Sequence, residues 1–151
     1  MKKMKQIMKD EEGLTLVELL AVVVIMAIIA GIAAVSISKV IQRSREDAQV
    51  SNVQQMLASA NLYDIQEEKG MINGIDLSKL HETGNIKSVD FADKPEAITF
   101  EKDEKGVISV KVGAEALSAG KEKNVEKTFS EENSGSIKRE DLFPKSDTPK
   151  S

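Results

Sequence analysis

The sequence predicts an α+β chain: a long N-terminal helix, its first half transmembrane and its second half packed on a small antiparallel sheet. Three observations predict this. Between Leu14 and Val35, 19 of 22 residues are apolar. From Ser36 onward the pattern turns amphipathic, and no Gly or Pro occurs between Val35 and Glu68. Further along, two short runs rich in Val and Ile flank a charged turn.

Composition narrows the function classes. The 151 residues contain no Cys, which excludes disulfide frameworks and thiolate metal sites. One His, no Trp and five aromatic residues leave little for a catalytic or base-stacking site. Lys and Arg number 21 against 25 Asp and Glu, for a net charge of −4. A general nucleic-acid binder carries a basic stripe, so direct nucleic-acid binding is not supported. No phosphate loop, nucleophile motif or metal-ligand spacing stands out. The expectation is no catalytic residue, no metal, no cofactor and no enzyme activity. Beyond Val35 only a third of the residues are apolar, too few for a large core.

Residues 1–13 form a leader with Lys2, Lys3, Lys5 and Lys9, ending in Asp10-Glu11-Glu12-Gly13. Residues 14–35 follow as LTLVELLAVVVIMAIIAGIAAV. At ~1.5 Å per residue such a helix is about 33 Å long, enough to cross a bilayer. A buried core helix of this length would carry a polar stripe, and this one has only Thr15 and Glu18. A secretory signal peptide has a shorter apolar region behind a basic flank. Here three acids precede the apolar run, and Gly31-Ile32-Ala33 is only a weak cleavage site. Lys39, Arg43 and Arg45 follow the span, so counting basic residues leaves its orientation open.

Glu18 is the residue that a plain anchor does not need. A carboxylate at the centre of a membrane helix costs about 2.5–3.5 kcal/mol, and less near an end. An intramembrane acid is a functional candidate by default. Its setting is Gly13-Leu14-Thr15-Leu16-Val17-Glu18-Leu19, behind a basic leader and ahead of an unbroken apolar run.

These residues closely resemble the processing site of type IV prepilins and pseudopilins, over residues 1 to about 40. The resemblance implies a pilin-like fold. It implies cleavage between Gly13 and Leu14 by a membrane aspartic peptidase, and N-methylation of Leu14 by the same enzyme. Thr15, Leu16, Val17 and Glu18 then match the assembly segment. Leu14 stands where Phe is commoner. Glu18 lies four residues from Leu14, on the same helix face, and the family implies that it meets the N-terminal amine of a neighbouring subunit. A charge pair in apolar surroundings adds little stability but fixes register. The implied partners are the prepilin peptidase/methyltransferase, like subunits and related pilins in a filament, and a membrane assembly platform with a cytoplasmic ATPase. The implied location is the cytoplasmic membrane, single-pass with the N-terminus inside, then an extracellular or envelope-spanning filament. Many pilins carry a Pro near the position of Val35. This chain has none, and Gly31 is its local weak point, costing about 1 kcal/mol relative to Ala in a helix interior.

The residues after the span complete the organisation. Residues 36–70 continue the helix, with Val53, Met56, Leu57, Ala60 and Tyr63 at helical spacing; Gly70 would end it near Glu68. Residues 71–120 form a small α+β head. In it Asp76 caps a short helix over residues 77–83, with Leu77 and Leu80 inward and Gly84 as the stop. The sole His, His81, reads as a solvated helix residue. Residues 97–100 and 107–112 form a hairpin around the turn at residues 101–106. Two strands alone are marginal, so the hairpin needs the helix as a backing. Ile86, Val89 and Phe91 suggest a further edge strand. Residues 121–151 hold seven basic, seven acidic and five apolar residues. That composition predicts a polar, mobile tail, with Val125–Phe129 as its one strand candidate.

Three readings stay open on the residues alone. The first is a structural filament subunit, with adhesion, motility, DNA uptake and type II secretion not separated. The second is a single-pass membrane-anchored extracytoplasmic binding protein without filament assembly. The third is a soluble protein released near Ala33.

Overall fold

The computed structural model describes the backbone of residues 2–145, with side chains from Thr15 onward. A single helix, α1, covers Lys2–Gln66. Then come β1 (Ile75–Asp76), α2 (Leu77–Glu82), a 3-10 turn (Pro95–Ala97), β2 (Ile98–Lys102) and β3 (Ile108–Val112). The chain continues with β4 (Ser118–Ala119), β5 (Glu122–Lys123), β6 (Lys127–Ser130), a 3-10 helix (Glu131–Ser136) and α3 (Arg139–Leu142). Two compact units divide at Ile41/Gln42. The first is helix alone.

The second unit is the head. Its main sheet is antiparallel in the order β1-β2-β3-β6, and β4-β5 form a separate hairpin. Strand alternation decides the inner face. Ile108, Val110 and Val112 are buried, Ser109 is half-buried and Lys111 exposed. The register places Ile98 opposite Val112, Phe100 opposite Val110 and Val110 opposite Phe129. One apolar face results, and Val53, Met56, Leu57, Ala60 and Tyr63 of α1 join it in a common core with Leu77 and Leu80. The predicted backing of the sheet by the amphipathic part of the helix is therefore present. The hairpin turn is closed by Asp103, whose Oδ1 accepts from Lys105 N at 2.9 Å and Val107 N at 2.8 Å. The Asp76 carboxylate accepts from Lys79 N at 2.8 Å as the cap of α2.

Side-chain amides supply a second kind of contact between α1 and the head. Gln42 donates to Ala119 O at 2.8 Å, and Gln49 donates to Ser118 O at 2.8 Å and Phe91 O at 3.1 Å. Gln54 donates to Ser134 O at 2.8 Å, and Asn61 donates to the Glu131 carboxylate. The β4–β5 turn lies close against the helix. Gly120 takes φ +71°, a left-handed conformation that would strain any residue with a side chain, and its nearest neighbour is the mobile end of Arg45.

Two expectations fail. Residues 86–91 form no strand; Ile86 is buried, and the nearby pairing is a lone bridge between Ala92 and Leu117. Ile86 N donates to Leu80 O, Val89 O accepts from Ala92 N and Phe91 O accepts from Gln49, which are turn and side-chain contacts and not a ladder. The tail reading fails for residues 121–145, which contribute β5, β6 and α3. Phe129, Ile137, Leu142 and Phe143 are buried in the core, so four of the five apolar residues carry the segment. The strand there is Lys127–Ser130, not Val125–Phe129. Residues 146–151 lie outside the described residues.

Candidate assembly helix and processing segment

The segment from Thr15 to Ile41 is helical throughout, and every side chain in it is exposed. Leu16 keeps 69 % of its surface, Ile29 61 % and Ile37 57 %. Large apolar side chains left open on all sides of a helix match lipid or other apolar helices, not water. By length and composition this helix is able to cross a membrane. Gly31 sits in it with open space around it; a methyl group there would meet nothing within 4 Å. Its effect on the helix is therefore one of backbone freedom and not of fit.

Thr15, Leu16, Val17 and Glu18 are successive residues of this helix, and Glu18 is exposed. Glu18 has no hydrogen-bond or ion-pair partner among the described residues. Gly13 and Leu14 are the expected cleavage and methylation positions, and the Leu14 side chain lies outside what the structure describes. Their backbone is helical. Leu14 and Glu18 are thus one turn apart, and an amine created at Leu14 would share a helix face with the Glu18 carboxylate.

The head shows a different electrostatic pattern. Asp64, near the end of α1, binds Lys102 Nζ at 2.6 Å through Oδ2 and accepts from Met71 N at 2.8 Å through Oδ1. The hydrogen bond from Lys102 holds the Asp64 carboxyl below the usual carboxylate range, with burial opposing and the Met71 N–H assisting. The Asp93 carboxyl is lowered chiefly by its hydrogen bond from Lys123, which is itself raised by that contact. Asp141 is lowered by Lys127 and then by the Lys138 N–H. The three pairs tie α1 to β2, the loop at Asp93 to β5, and α3 to β6. Among the described residues no group of three or more His, Asp or Glu is placed to hold a metal ion. His81 is exposed, with Nδ1 3.2 Å from Ile86 O.

Sequence reasoning missed the amides of Gln42, Gln49, Gln54 and Asn61. A signal was present: Gln42 and Gln49, like Gln54 and Asn61, are seven residues apart and so recur on one helix face.

No curated protein and no solved structure matches the chain. The family model for the prokaryotic N-terminal methylation motif matches residues 8–34. That stretch includes Gly13, Leu14 and Glu18 and all of the apolar segment but Val35. Over those residues the chain carries the signature of type IV prepilins and pseudopilins.

Proposed function

We propose that the chain is a structural subunit of a type IV pilus-like filament or pseudopilus. In this reading a prepilin peptidase cuts after Gly13 and methylates Leu14, and the subunit polymerises through its apolar helix. The observation that carries it is the coincidence of the methylation motif with a helix apolar on every side and bearing one carboxylate, Glu18. In lipid the apolar surface is at home. On leaving the bilayer it needs other apolar helices, and copies of this chain supply them. Glu18 would arrive unpaired, at a cost of several kcal/mol in low dielectric. A neighbour's Leu14 amine would remove that penalty in one axial register and no other. Before assembly the helix spans the cytoplasmic membrane with the leader inside and the head outside. An assembly platform with a cytoplasmic ATPase supplies the work of extraction.

The test is the intact mass and N-terminal sequence of protein extracted from native membranes, for the wild type and for Glu18→Ala. The expected wild-type chain begins at methylated Leu14. Glu18→Ala should be cut equally well but yield little or no filament. A chain still beginning at Met1 would sink the reading in favour of a static anchor. A chain beginning near Ala34 would make it an exported soluble domain. Normal filaments from Glu18→Ala would remove the register role.

A further inference from the structure

We propose that Asn73 is a site of spontaneous covalent modification, in which its side-chain amide cyclises onto the backbone nitrogen of Gly74. The chain has six asparagines, and their following residues are Val53, Leu62, Gly74, Ile86, Val125 and Ser134. A side chain on the following residue shields the attacking amide nitrogen. Only Asn73 lacks that shield. Asn73 is also exposed, in the turn between α1 and β1, whereas Asn124 is buried and fully engaged.

The chemistry balances without an outside oxidant or reductant. The Gly74 nitrogen loses its proton and attacks Asn73 Cγ. The bond from Cγ to the side-chain nitrogen breaks, and ammonia leaves. The resulting five-membered imide adds water at either of its carbonyls. Breaking the new Cγ–N bond gives aspartate. Breaking the original peptide C–N bond gives isoaspartate, whose main chain is one methylene longer. Either product adds a negative charge to the surface.

The position makes both changes felt. Gly74 has φ +68°, and a Cβ there would stand 3.1 Å from Phe100 O. The backbone is thus already close against β2, at the residue just before β1. That strand has two residues, with Ile75 opposite Phe100 and Asp76 opposite Thr99. An extra methylene lodged between this close approach and the anchored α2 has only two paired residues to absorb it, so it disturbs the pairing of β1 with β2. The new carboxylate would also enter a groove lined by Asp76, Glu82, Glu96 and Glu101, with Lys79 as the basic residue. Like charges gathered there weaken the same sheet edge. None of this depends on filament assembly.

The test is to incubate the purified full-length protein in detergent at mildly alkaline pH and map its peptides over time. Isoaspartate is identified by enzymatic methyl transfer. Asn73 should convert at least an order of magnitude faster than Asn85 or Asn133, with isoaspartate the larger product. Hydrogen exchange at Ile75 and Asp76 should quicken in step with it, and Asn73→Gln should abolish both changes. If Asn73 keeps its amide while an excised peptide of the same sequence converts, the folded turn protects it and the proposal fails. It fails equally if another asparagine leads.

Discussion

The helix α1 behaves differently on the two sides of Ile41. From Thr15 to Ile41 every side chain is open, whereas between Gln42 and Gln66 the side chains of Val53, Met56, Leu57 and Ala60 are fully or almost fully buried. Backbone and hydrogen-bond pattern are the same in both stretches. What differs is the angular distribution of apolar residues. Around Thr15–Val35 they point everywhere, so no single partner surface can cover them. Beyond Gln42 the buried ones collect on one side, and the exposed side carries Arg43, Ser51 and Gln55 together with Leu62 and Ile65. The width of the apolar stripe decides whether a helix seeks a sheet or a bilayer.

The largest effect that would sharpen this contrast is a truncation on each side. Phe100→Ala removes a fully buried ring facing the α1 stripe and should destabilise the head by about 3–5 kcal/mol. Ile25→Ala, at a site 56 % exposed, should leave the head's melting temperature unchanged. Thermal melts of both variants in detergent, read by near-ultraviolet circular dichroism, would decide it. Equal losses would break the contrast.

A smaller effect is expected at Asn124. Its Nδ2 donates to Gly113 O and Val125 O, and its Oδ1 accepts from the Leu117 N–H at 2.7 Å. Asn124→Ala would strand these buried groups and should cost about 2 kcal/mol in a denaturant titration of the head. The cleavage and membrane insertion of the same variant should be normal.

The smallest is at Asp64. Its pKa is lowered in the fold by the hydrogen bond from Lys102. Its contribution is therefore complete above the unfolded carboxyl's pKa of about 3.9 and is lost as pH falls through the lower folded value. Lys102 is partly solvated, which screens the pair. Asp64→Asn keeps an acceptor for Met71 N and should cost about 1 kcal/mol at neutral pH. Its stability should fall less steeply than the wild type's below about pH 4. An unchanged acid limb would assign the stabilisation to the Met71 contact alone.

Much of this was legible from spacing. The buried positions of α1 follow a 3.6-residue period, the hairpin follows a two-residue period, and Asp76 sits three residues before the amide it caps. A motif fixes Gly13, Leu14 and Glu18 to one another in sequence, and the methylation-motif match covers all three positions. The tail was not legible from composition, which averages over position. Five apolar residues in 31 suggest disorder, yet Phe129, Leu142 and Phe143 are each buried in the common core. Val125, the fifth, is 41 % exposed and accounts for little. Residues 86–91 failed for another reason: Ile86, Val89 and Phe91 are spaced three and two apart, not in strict alternation, and the stretch folds as turns with a single bridge beside it at Ala92. The glutamine contacts escaped because a polar residue on a helix reads as solvated until its acceptor is known.

The two edges of the main sheet bear on crowding. One edge strand, β1, has two residues; the other, β6, has four and opens with Lys127, paired to Asp141 at 2.7 Å. Short or charged edges are poor templates for strand addition. Heads held at high local density in a bilayer would gain little by zipping together into continuous β-structure. Aggregation through the sheet is disfavoured on both of its edges.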